Sequence, residues 1–131
     1  MRVLALVLAL PAAFAAANAI AEPFGPIHMA VNRHEYRGKA CPIEVVFTAT
    51  INYEMPHPRG FTYSYHWERS DGAKGPTHVV RPAEHERSMV VHERWRLGRP
   101  GESYDVFQTI HVGSGNTHIN ERTDTVHIEC R

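Results

Sequence analysis

Phe61-Thr-Tyr-Ser-Tyr-His-Trp-Glu-Arg-Ser-Asp-Gly72 alternates strictly and then breaks into a polar turn. Phe61, Tyr63, Tyr65 and Trp67 fall on one face, and Thr62, Ser64, His66 and Glu68 on the other. That is the pattern of a strand packed on a core from one side, so it predicts a central strand with Trp67 as its core anchor. An inverted sheet would turn the aromatic face into an exposed binding strip, but the polar alternate face favours core packing. Upstream, Cys41, Ile43, Val45, Phe47, Ala49 and Ile51 share an apolar face opposite Glu44, Thr48 and Thr50, which predicts a second long strand. Ile27 to Val31 alternates weakly, as a first edge strand would, and a polar turn follows it to Gly38.

Downstream, His78 to Arg81 is a short strand stopped by Pro82. Ser88 to Leu97 is long and β-rich, but Glu93 falls on the same side as Met89, Val91, Trp95 and Leu97, which calls for a bulge or an exposed end. Tyr104 to Val112 and Thr123 to Cys130 complete the set, with a long loop between them opening at Gly113. About seven short strands divided by Gly, Pro, Asn and Asp predict an all-β chain folded as a single antiparallel β-sandwich.

Met1-Arg2, the apolar run Val3 to Leu10 and the small residues of Ala19-Ile20-Ala21 have the layout of a secretory signal peptide over 1–21. Cleavage after Ala21 is expected, with Ala19 the alternative; an uncleaved anchor is disfavoured because Pro11 interrupts a stretch short for the roughly 20 residues of a span. Residues 22–131 then form one exported domain, periplasmic or extracellular, with no membrane insertion. Removing the leader leaves 13 basic and 14 acidic residues, too even a balance to attract nucleic acid or an anionic membrane. Two cysteines in an exported chain, Cys41 and Cys130, predict one structural disulfide.

Several of these landmarks together resemble a family of immunoglobulin-like domains in exported bacterial proteins of mostly unknown function. Tyr36-Arg-Gly-Lys-Ala-Cys-Pro42 with Val45-Val-Phe47 matches its opening, and Tyr65-His-Trp-Glu-Arg-Ser-Asp-Gly-Ala73 its centre. Trp95-Arg-Leu-Gly98, Gln108-Thr-Ile-His-Val112 and Val126-His-Ile-Glu-Cys130 match its second half, although Phe107 stands where tryptophan is expected. The resemblance spans about 27–131 and implies an immunoglobulin-like sandwich and an exported address, with no catalytic residues. In that strand order the first and last strands run parallel. The start of the second strand and the end of the seventh then share a pole, where Cys41 and Cys130 could bond.

Ten histidines are the compositional oddity, but no His-Glu-x-x-His, His-x-His or serine-elbow motif organises them. The expectation is therefore a non-enzymatic binding or interaction module without a cofactor, contacting an unknown protein or glycan through the loops 52–60 and 113–122. The runner-up is a metal-binding protein using His66, His111 and His127, which fall on the outward sides of strands expected to be neighbours, with Glu68 or Glu129 as a further ligand for Zn²⁺ or Cu²⁺. A third reading is a structural envelope component. Met55 with His57, and His28 with Met29, pair a thioether and an imidazole as a Cu(I) site would, but each offers only two ligands. The repeats His85-Glu-Arg87 and His92-Glu-Arg94 stand seven residues apart, which puts them on opposite faces of a single strand.

Overall fold

The computed structural model describes residues 24–131, so the signal segment 1–21 lies outside the described residues. The fold is all-β. Ten strands follow one another: β1 (Phe24–Val31), β2 (Glu35–Gly38), β3 (Ile43–Tyr53), β4 (Tyr63–Arg69), β5 (His78–Val80), β6 (Ser88–Leu97), β7 (Ser103–Val106), β8 (Gln108–Ser114), β9 (Thr117–Arg122) and β10 (Val126–Cys130). They hydrogen-bond in the orders β1-β3-β6, β2-β10-β7 and β5-β4-β8-β9.

Three differences account for ten strands in place of about seven. The polar turn before Gly38 contains β2, which pairs in parallel with β10. The expected strand over 104–112 divides at Phe107, with β7 paired to β10 and β8 to β4 and β9. Phe107 itself exchanges backbone bonds with Ser70, its N–H donating to the Ser70 hydroxyl and its carbonyl accepting from the Ser70 N–H. The expected loop 113–122 is instead a hairpin, with Ser114 opposite Thr117 and Gly115 at φ 55° in the first of two turn positions.

The inward faces of β3, β4, β8 and β10 meet in one core in which Val45, Phe47, Ala49, Ile51, Ile110, Val126 and Ile128 are fully buried. Trp67 is 3% exposed, as the alternation of β4 predicts. At one end Phe24, Tyr53, Phe61 and Tyr63 pack edge to face or stacked, and the Tyr53 and Tyr63 hydroxyls share a 2.6 Å hydrogen bond. Burial and that bond hold the Tyr63 phenol far above the ordinary tyrosine range, so it stays neutral. Pairing of β6 with β3 is continuous from Ser88 to Leu97, so no bulge relieves Glu93. Glu93 keeps its inward place opposite Phe47, half-buried. It is tolerated there because it lines a pocket of about 180 Å³ beside Lys74 and Gln108.

Cys41 and Cys130 are bonded, with Cα atoms 6.0 Å apart and 89 residues between them in sequence. The bridge ties the segment entering β3 to the end of β10, and so links two of the sheets. Gly98 packs against it at φ 116°, where a Cβ would lie 2.7 Å from the Cys130 sulfur.

Candidate functional site

His66 and His111 are direct cross-strand partners on the antiparallel pair β4–β8. Both face away from the core because Tyr65, Trp67, Ile110 and Val112 take the inward positions. Their rings stack 4.7 Å apart and 8° from parallel. Glu68, two residues along the same face, places Oε2 3.5 Å from His111 Nε2 and 3.9 Å from the Lys74 ammonium. On the other side of β8, Asn120 of β9 sits opposite His111, with Oδ1 2.8 Å from Nδ1. A ligand atom from each of His66, Glu68 and His111 lies within 4.8 Å of the others. Burial, then the His111 ring and Lys74, push the His66 imidazole below its ordinary pKa.

The third expected ligand is elsewhere. β10 pairs with β7 and β2, not with β4 or β8, so His127 is not brought to His66 and His111, and neither is Glu129. His127 places Nδ1 2.8 Å from Asp105 and Nε2 3.3 Å from Glu129. Hydrogen bonds to these two carboxylates raise its pKa above the ordinary value, in an exposed cluster that also holds Arg37. The break at Phe107 is what separates the sites, since it gives the two halves of one expected strand different neighbours.

The thioether and imidazole pairs do not form sites. His57 is 6% exposed, packs against Tyr53 and Phe61 and donates from Nε2 to the Glu86 carbonyl at 3.2 Å. His28 and Met29 alternate on β1, with His28 exposed and Met29 packed against the core. The link 52–60 is therefore partly core, and 113–122 is a hairpin. In the hairpin Gly115-Asn116 between alternating segments was the sequence signal for that turn.

Sequence reading missed a cleft of about 810 Å³ lined by the end of β6, the turn after it and β7. Trp95, Arg96, Arg99, Tyr104 and Phe107 are among the residues that line it. The Arg69 guanidinium lies 4.0 Å over the Trp95 ring, and Arg122 lies 3.6 Å over Phe107. Most of the lining comes from 95–107, which reads in sequence as strand, turn and strand, and only the folding of that stretch back beside Arg69 makes it a cleft.

No protein-family model matches the chain, and no curated protein matches it either.

Proposed function

We propose that this chain is an exported, non-enzymatic binding domain of immunoglobulin-like strand order, and that it holds an extended segment of a partner protein along β6 and into the neighbouring cleft. The observation that carries this reading is the cleft itself, which combines Trp95, Tyr104 and Phe107 with Arg69, Arg96 and Arg99. Aromatic residues and arginine are the types that anchor protein interfaces. β6 ends its sheet, so its outer edge offers backbone donors and acceptors to an added strand. A protein suits this surface better than a glycan, because Trp95 is only 8% exposed with Arg69 over its ring and Arg122 lies over Phe107, so neither ring offers an open face to a sugar.

The leader-like start and the disulfide support an oxidising, exported address. β1 beside β3 and β2 parallel to β10 support an immunoglobulin-like order.

The test is a crosslinked pull-down from the producing cell with the disulfide-bonded domain, its Arg96→Glu/Arg99→Glu variant, and Val79→Asp on the opposite edge strand β5. A reproducible partner retained by Val79→Asp and lost by the double variant is expected. A partner captured equally by all three, or none, would overturn the cleft as the recognition surface.

A further inference from the structure

We propose that His66, Glu68 and His111 form a binding site for a divalent transition-metal ion of the zinc and copper class, on the sheet face of β4, β8 and β9 and separate from the cleft. The argument begins with His111. In the tautomer that donates from Nδ1 to Asn120 Oδ1 at 2.8 Å, the Nε2 lone pair of His111 is left to face Glu68. Nε2 is buried and has no hydrogen-bond partner, and a Glu68 carboxylate oxygen lies 3.5 Å from it. In that tautomer two acceptors face each other, an arrangement that a positive species between them stabilises. A metal ion does so for His111 and Glu68, and His66, with a ligand atom within 4.8 Å of theirs, supplies the third ligand when its ring turns out of the stack.

The donor set is two imidazoles and one carboxylate, which suits Zn²⁺, Cu²⁺ or Ni²⁺ and not the all-oxygen ions Mg²⁺ and Ca²⁺. Ligand atoms around a tetrahedral ion with bonds of about 2.1 Å stand about 3.4 Å apart, so a set already within 4.8 Å closes by side-chain rotation alone. Asn120 holds His111 by its other nitrogen, the arrangement by which an outer partner fixes a ligating ring. Three protein ligands leave one position for water or for a side chain of another molecule. Lys74 competes for Glu68, and at 68% side-chain exposure it is free to swing away.

Calorimetric titration of the disulfide-bonded domain with ZnCl₂ at pH 7.5, with melting temperature followed in parallel, tests the site. One ion per chain is expected, with a rise in melting temperature that vanishes in His66→Ala and in His111→Ala and fades on acidification, because an imidazole binds a metal only through a free lone pair. Asn120→Leu should weaken binding about 10- to 100-fold, and His127→Ala should leave it unchanged. Because an alanine variant can lose stability on its own, the ring resonances of wild-type His66 and His111 supply a second readout, and both should shift with one equivalent of Zn²⁺ while those of His127 stay. No saturable binding, binding that survives His111→Ala, or ring resonances indifferent to Zn²⁺ would overturn the site. Such a result would make a proton, not a metal, the species between His111 and Glu68.

Discussion

Trp67 is 3% exposed on the inward face of β4, in line with Tyr63 and Tyr65 and across from the fully buried Ile110. Trp67→Ala should lower unfolding free energy by about 3 to 5 kcal/mol in urea titration, the usual cost of emptying an aromatic site. A loss below about 1 kcal/mol would place the ring at the surface. The histidines differ in a way that a single titration can read. Burial lowers the His66 pKa, so the folded state takes its proton less readily than the unfolded chain. Its contribution to stability is complete above the unfolded value near 6.5 and declines as pH falls through the folded pKa. His127 is raised by Asp105 and Glu129, so its contribution is complete below about 6.5 and is lost as pH rises through its folded pKa. In metal-free protein followed by NMR, His127 should titrate above 6.5 and His66 below it. A reversed order would mean that one of these two environments is wrongly described.

Strands and turns carry their own constraints. The turn after β6 passes directly over the disulfide, and only a residue without a side chain fits at Gly98. Gly98→Ala meets two penalties together, an unfavourable φ of 116° and a Cβ 2.7 Å from the Cys130 sulfur, in a place where neither β10 nor the bridge yields easily. It should cost about 2 kcal/mol or more in denaturant titration, whereas Gly72→Ala, with φ 90° but open space around it, should cost less. Equal costs would show that strain alone, and not the close approach to the bridge, requires glycine at 98. The hairpin β8–β9 has a different role. It places Asn120 beside His111, so the same residues read from sequence as a ligand-contacting loop instead support a ring on the sheet.

On the scale of the whole molecule, the Cys41–Cys130 bond closes most of the domain into one loop. A closure of about 90 residues is worth roughly 4 kcal/mol in the chain-entropy model. Replacing both cysteines by alanine should therefore lower stability by about 2 to 5 kcal/mol, and thiol labelling of the unreduced protein should detect nothing even after denaturation. Labelling without reductant would contradict the bridge. Mutual burial of β3 against β4, β8 and β10 makes the sandwich a single core, so the Trp67 and cysteine variants should each unfold in one transition.

What the sequence determined by itself is whatever depends on period two and on chain punctuation. The inward sets of β3, β4 and β10, the place of Trp67 and the β class follow from alternation, which needs no knowledge of neighbours. The pairing of the cysteines followed from their number and setting. Only the tertiary structure decided which strands stand side by side and in what register. It put His66 level with His111, sent His127 to another sheet and left Glu93 facing inward without a bulge. It also assembled a cleft from β4, β6 and β7. The physical reason is that hydrogen bonds between strands join backbone groups, which are the same for every residue. The side chains that select a face therefore do not select the neighbour, and a break such as Phe107 can redirect half a strand without altering its alternation.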